Sequence, residues 1–239
     1  MTPSTAQLRV KIFADGADLD SIIALAGNSL VQGFTTNPTL MRKAGVTDYT
    51  AFAHDVLTHI GDRPISFEVF SDDFDEMEEQ ARTIASWAPN VYVKIPVSNT
   101  RGESSIDLVA KLSEAGISQN VTALMTPAQV AEVAEKLSGG PAACISLFAG
   151  RIADTGRDPI PLVEESLTAL AGASNLELIW ASPREVLNVF QANETGCHII
   201  TVTSDLLAKL AGIGRDLDEF SLDTVRMFYN DANAAGYTV

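Results

Sequence analysis

Residues 91–122 read VYVKIPVSNTRGESSIDLVAKLSEAGISQNVT, and the fold turns on how their three parts are read. Val91–Ile95 is a short, β-rich run interrupted by one lysine, as expected of a strand buried on both faces. Ser104–Ala115 is amphipathic at helical spacing, and Gly116 supplies its stop. Ser118–Thr122 is a second short β-rich run. Strand, helix and strand in this order build a parallel α/β sheet.

Working outward, the same unit recurs. Further strand candidates are Val10–Ala14, Gln32–Thr35, Ile65–Val69, Ala143–Leu147, Leu176–Trp180 and Cys197–Thr201, which brings the number to eight. Further helical segments are Asp48–Ile60, Phe74–Trp87, Thr126–Leu137, Pro161–Ala171, Pro183–Ala192 and Ser204–Lys209. Thr126-Pro127 and Ser182-Pro183 each place an N-cap before a proline at the first helical position, and Gly196 precedes the eighth strand as a stop. Eight units in 239 residues predict one α/β domain over residues 1–239, a single (β/α)8 TIM barrel. An open doubly wound sheet is the alternative, but no Gly-rich phosphate fingerprint follows the first strand. Residues from about 218 to 235 read as an additional C-terminal helix. Its Phe220, Leu222, Val225, Phe228 and Tyr229 are expected to pack on the barrel or on a neighbouring subunit.

Composition narrows the function classes. A net charge of −15 argues against nucleic-acid or anionic-membrane partners, which need clustered Lys and Arg. A phosphorylated small molecule stays compatible, because a few local cations suffice. Cys144 and Cys197 lie in apolar strand-like runs and read as buried thiols of a reducing compartment. Met1–Arg9 lacks the apolar core of a signal peptide and no run is long enough to span a bilayer, so a cytoplasmic location is expected. His54, His59 and His198 lack metal-ligand spacing, and the acidic run Asp72–Glu79 reads as a solvated helix start.

In such barrels the active site gathers at the strand C-termini. The polar residues there are Asp15 after the first strand, Thr35 and Asn37 after the second, Glu68 in the third and Lys94 in the fourth. Asn120 and Thr122 come from the fifth, Ser146, Phe148 and Arg151 from the sixth, and Ser182 and Arg184 from the seventh. Lys94 stands out. Between Val93 and Ile95 it loses solvation, desolvation favours a neutral amine, and a neutral amine attacks ketones. Asp15 and Glu68 offer the acid and base such chemistry needs; the plainer reading is that either one only pairs with Lys94. Arg151 and Arg184 suit an anion, although each taken alone also reads as a surface salt bridge.

Three strings together resemble the transaldolase family: Gly33-Phe34-Thr35-Thr36-Asn37-Pro38-Thr39, Val91-Tyr92-Val93-Lys94-Ile95-Pro96 and Ile145-Ser146-Leu147-Phe148-Ala149-Gly150-Arg151-Ile152. The resemblance implies a metal-free, cofactor-free Schiff-base enzyme. In it Lys94 forms an imine with the dihydroxyacetone unit of a ketose 6-phosphate, of the fructose or sedoheptulose type, and passes that unit to an aldose phosphate. Asp15 is then the acid/base at the cleaved bond, Glu68 and Thr122 hold the water, and Asn37, Asn120 and Ser146 bind the hydroxyls. Arg151, Ser182 and Arg184 take the phosphate.

The compact subfamily also holds fructose-6-phosphate aldolases, which release dihydroxyacetone and carry Gln and Tyr where this chain has Glu68 and Phe148. Both residues here resemble the transaldolase choice. Ala181-Ser182-Pro183-Arg184 departs from the family pattern, which more often has Phe before the arginine, and Trp180 beside it is bulky. That leaves open another terminal anion, such as a sulfonate. A non-catalytic sugar-phosphate-binding barrel is the rival from another class. By family analogy the chain assembles as a homo-oligomer, a pentamer or decamer.

Overall fold

A computed structural model describes residues 4–238; Met1–Pro3, part of the N-terminal stretch read above, and Val239 lie outside it. Its strands are β1 (Lys11–Asp15), β2 (Val31–Thr35), β3 (Ile65–Glu68), β4 (Val91–Pro96), β5 (Gln119–Leu124), β6 (Ala143–Leu147), β7 (Leu176–Trp180) and β8 (Ile199–Val202). Each lies within two residues of its expected bounds. All pair in parallel in chain order, and β1 pairs with β8, so the sheet closes into an eight-stranded barrel. Around it run α1 (Leu19–Ala26), α2 (Pro38–Lys43), α3 (Tyr49–Ile60), α4 (Phe74–Ala85), α5 (Ile106–Glu114) and α6 (Pro127–Leu137). Then follow α7 (Ala149–Ala153), α8 (Ile160–Ala169), α9 (Leu187–Thr195), α10 (Ser204–Lys209) and α11 (Leu217–Ala234). The architecture is a (β/α)8 TIM barrel with a C-terminal helix. Among the described residues no helix is long and apolar enough to cross a membrane.

The core has two parts, because strand side chains alternate between the barrel interior and the helix-facing side. Outside the barrel a large apolar shell joins strands to helices, with Phe34, Phe67, Val93, Val121, Leu147 and Trp180 buried in it. Inside lies a smaller cluster of Phe13, Cys144, Ile179, Ala181 and Ile199, flanked by Tyr92 and Phe148. Phe13 fills the interior only because Gly33 faces it. A Cβ on Gly33 would sit 2.6 Å from the Phe13 ring, closer than carbon atoms approach. Burial pushes the Cys144 thiol up to about 12, so it stays a protonated packing group.

Two expectations need correction, and one of two alternatives for a third falls away. Thr126 does cap α6, in a capping box with Gln129, but Ser182 caps nothing: α9 begins at Leu187 with Val186 at its N-cap. Ser182 instead adopts φ +59°, which turns the chain out of β7 toward the barrel mouth. Trp180 is not near the mouth's lining either. It is 1% exposed in the outer shell, since it points away from the interior on the opposite side from Ile179. Finally, α11 does not pack on the barrel: no residue of it is buried, and Phe228 and Tyr229 are 63% and 69% exposed. Local contacts hold it instead. Asp216 accepts from the Asp218 and Glu219 amides, and Arg215 pairs with Asp223 and lies over the Phe220 ring.

Candidate active site

The C-terminal ends of the strands surround a cavity of about 620 Å3. Its lining includes all twelve residues singled out from the sequence: Asp15, Thr35, Asn37, Glu68, Lys94, Asn120, Thr122, Ser146, Phe148, Arg151, Ser182 and Arg184. Barrel register explains why. Asp15 pairs with Thr35 across β1 and β2, Glu68 with Lys94 across β3 and β4, and Lys94 with Asn120 across β4 and β5.

Lys94 is 7% exposed. Its Nζ lies 3.3 Å from Glu68 Oε2 and donates to the Thr36 carbonyl at 3.0 Å. That carbonyl is itself fixed, because the Thr36 amide and hydroxyl both donate to the Ser66 carbonyl, at 3.1 and 2.9 Å. The Tyr49 hydroxyl donates to the Glu68 carbonyl at 3.0 Å and steadies the tip of β3. The amine is therefore held by three strands, with one end open to the cavity.

Asp15 accepts from Thr35 Oγ1 at 2.8 Å and from Asn37 Nδ2 at 3.5 Å. Asn37 in turn caps α2 through Oδ1, with Pro38 following at the first helical position. Burial raises the Asp15 pKa above the ordinary carboxylate range, and the charge of Lys94 and the two hydrogen bonds offset this only in part. An acid with raised proton affinity is suited to both taking up and returning a proton.

A hydrogen-bond chain crosses the cavity wall beside these groups. Ser146 Oγ donates to Asn120 Oδ1 at 2.8 Å, and Asn120 Nδ2 donates to Ser66 Oγ at 2.9 Å. The chain uses the Ser146 hydrogen and leaves its lone pairs to accept from a ligand. Thr122 differs. Its Oγ1 is buried and has no partner among the described residues, at a point where the β5–β6 register slips and Ala123 takes φ +67°. Buried polar atoms left unpaired in this way mark places for a water or a ligand atom.

The far rim is built from the ends of β6 and β7, which are tied together. Gly150 donates to the Ala181 carbonyl at 3.2 Å, and a Cβ on Gly150 would lie 1.5 Å from the Ser182 carbonyl oxygen, so only glycine fits. This seam sets Arg151 beside Ser182 and Arg184. Arg151 lies 5.1 Å over the Phe148 ring and remains exposed. Arg184 is not free: its Nε donates to Asp154 Oδ1 at 3.0 Å and its Nη2 to Asp154 Oδ2.

A broad hollow of about 690 Å3 at the opposite end of the barrel is lined by Asn175, Glu177 and His198 among others. Its main polar side chains are engaged within the protein. Asn175 Nδ2 donates to the Leu137 and Pro141 carbonyls, His198 accepts from the Leu178 amide, and Glu177 pairs with Lys11. The upper cavity is the one that gathers the polar strand-end residues singled out from the sequence. Among the described residues no three His, Cys, Asp or Glu side chains are grouped to hold a metal.

A family model described as transaldolase/fructose-6-phosphate aldolase matches residues 12–238 of the chain. The chain belongs to that family. Among relatives of this member, a "probable transaldolase" of Dehalococcoides mccartyi is 34% identical over 84% of this chain and 90% of its own. A "probable transaldolase 2" of Listeria monocytogenes is 36% identical over 84% of this chain and 88% of its own. The barrel also resembles a solved dihydrodipicolinate synthase of Rhodopseudomonas palustris, with TM-score 0.54 and 15% identity over 81% of this chain and 69% of that one. That likeness concerns the fold alone.

Several residues of this family member's site escaped the sequence reading. Thr36 and Ser66 act through a backbone carbonyl and through a partner's amide, and nothing in their type or spacing announces it. Lys43, Thr201 and Thr203 also line the cavity. Asp154 is found only through its contact with Arg184, thirty positions away in sequence.

Proposed function

We propose that the chain is a transaldolase that carries a dihydroxyacetone unit as an imine of Lys94. The observation that carries this reading is the setting of Lys94: a buried amine with Glu68 at 3.3 Å, open to a cavity that Asp15 also lines. A binding protein has no need of such an amine, because burying it costs solvation and yields no ligand contact that an exposed lysine lacks.

In this reading the Lys94 amine, once it has given up a proton, attacks the ketose C2 carbonyl, and the carbinolamine loses water to give an iminium. Asp15, as carboxylate, takes the proton of the C4 hydroxyl. The C3–C4 bond breaks, its electrons pass into the iminium to give an enamine, and the aldose leaves. Enamine C3 then attacks the acceptor aldehyde while Asp15 returns its proton to the new alkoxide. Water held by Glu68 and the unpartnered Thr122 hydroxyl hydrolyses the product iminium and frees Lys94. Asn37, Asn120 and Ser146 hold the donor hydroxyls, and Arg151, Ser182 and Arg184 hold the terminal anion of a sugar phosphate.

Release of dihydroxyacetone, as by an aldolase, is the second reading. Glu68 and Phe148 favour transfer: a carboxylate serves as base toward water where an amide does not, and Phe148 offers no hydroxyl to organise a water for release of the donor unit. The apolar residues exposed on α11 support assembly with further copies of the chain.

The test follows release of glyceraldehyde 3-phosphate from fructose 6-phosphate with and without erythrose 4-phosphate. Release is expected only with the acceptor, and none is expected from Lys94→Ala. Acceptor-independent turnover would instead make the enzyme an aldolase. No release under either condition would reject this donor.

A further inference from the structure

Besides Lys94, three cationic side chains line the cavity: Lys43 from α2, Arg151 from α7 and Arg184 beyond β7. They are not equivalent. No carboxylate lies within ion-pair distance of Lys43 or Arg151 among the described residues, whereas Arg184 gives both its Nε and its Nη2 to Asp154. Asp154 does not line the cavity. It stands behind Arg184, three residues after Arg151 on the seam that Gly150 and Ser182 create.

Neither stability nor helix formation accounts for an acid at this place. Asp154 and Arg184 are 53% and 48% exposed, and ion pairs that open to water contribute little to folding. Asp154 is also the C-cap of α7, the end of a helix where negative charge is disfavoured. What the pairing does achieve is electrostatic. The guanidinium is anchored by the edge usually offered to an incoming anion, and its charge is offset by a carboxylate that stays ionised beside it.

We propose that Asp154 is a specificity-determining residue that moderates the anion subsite of this cavity. With Asp154 in place the rim formed by β6 and β7 presents one guanidinium without an ion-pair partner among the described residues, that of Arg151, instead of two, and Asp154 acts on Arg151 only as a weaker, more distant charge. The consequence is a site that recognises a terminal phosphate but does not grip it, so that a phosphorylated product leaves readily and sugars without a terminal anion are penalised only modestly. The inference rests on the transaldolase reading for its substrate, but its electrostatic content does not.

The test is Asp154→Asn, which keeps the shape and one acceptor for Arg184 and removes the charge. Two readouts are needed. The first is binding of inorganic phosphate, measured by calorimetry without turnover. It is expected to tighten about two- to fivefold, and the gain should shrink as salt is raised. The second is the ratio of kcat/KM for fructose 6-phosphate to that for fructose with the same acceptor. It is expected to rise by a similar factor through KM of the phosphorylated donor, with the fructose reaction unchanged.

A double-mutant cycle with Arg184→Ala controls for misfolding, since most of the effect of Asp154→Asn should vanish once Arg184 is gone, leaving only the weaker interaction of Asp154 with Arg151. Unchanged or weaker phosphate binding in Asp154→Asn would overturn the proposal. So would an equal effect on both donors. If phosphate binding tightens while no variant turns over any ketose, the assignment of Asp154 holds and the transaldolase reading fails.

Discussion

Two lysine–glutamate pairs stand at opposite ends of the same barrel. Lys11 and Glu177 meet at 2.6 Å at the N-terminal end, with side chains 38% and 34% exposed. Lys94 and Glu68 meet at 3.3 Å at the C-terminal end, where the exposures are 9% and 17%. Residue type does not separate them. The lower pair is short, half in water, and beside groups whose hydrogen bonds are complete. The upper pair is longer, with Lys94 also reaching the Thr36 carbonyl, and it borders Asp15, whose pKa burial raises, and a Thr122 hydroxyl with no partner among the described residues. A satisfied pair closes a barrel end; an incompletely satisfied one facing a cavity is equipped for chemistry.

The comparison breaks most visibly at Asp15. Asp15→Asn should lower turnover by about 10²- to 10⁴-fold, the usual weight of a general acid–base group, and yet stabilise the fold at neutral pH. The sign follows from linkage. Asp15 has a raised pKa when folded. Below its ordinary value near 3.8 both states hold the proton and the variant gains nothing. As the pH climbs past that value the unfolded chain releases the proton first, which penalises the native state, and the asparagine removes the penalty. Urea midpoints measured across pH check this; a midpoint lowered by the substitution at neutral pH would sink it.

A smaller effect is expected at Thr122. Thr122→Val deletes a hydroxyl that has no protein partner, so stability should change by less than about 1 kcal/mol while turnover falls on the order of tenfold, one lost hydrogen bond to water. Equal losses in thermal midpoint and rate would mean that the hydroxyl is structural. Least of all should happen at the lower pair. Lys11→Met should alter stability by less than about 1 kcal/mol, given the exposure of both partners, and leave kcat untouched. A clear fall in kcat would show that the two ends of the barrel communicate.

Much of this was legible in the sequence, for identifiable reasons. Strands buried on both faces read as short β-branched runs, which is why all eight were located. The same property hides which way each residue points: in Leu176–Trp180 both faces are apolar, so the turn of Trp180 into the outer shell, away from the mouth, could not be read. Polar residues at strand ends had to converge once the barrel closed, and the chosen twelve do share one cavity. Short helices such as α1, α2 and α7 carry too few turns for periodicity to emerge. Ser182-Pro183 carried a capping signal that the tie to Gly150 overrode. The partnership of Arg184 with Asp154, and the outward face of α11, depend on contacts distant in sequence or absent from one chain, and local composition does not encode them.

The apolar layer of Phe13, Cys144, Ile179 and Ile199 beneath the cavity has one more implication. Two residues further along their strands come Asp15, Ser146, Ala181 and Thr201 of the cavity wall, so the layer is an apolar floor beneath a polar chamber. The polar groups of the wall therefore all face the space above this layer, and none of them opens toward the hollow at the other end. Whatever meets the Lys94 amine, sugar or water, meets it from that one side, with hydrocarbon at its back.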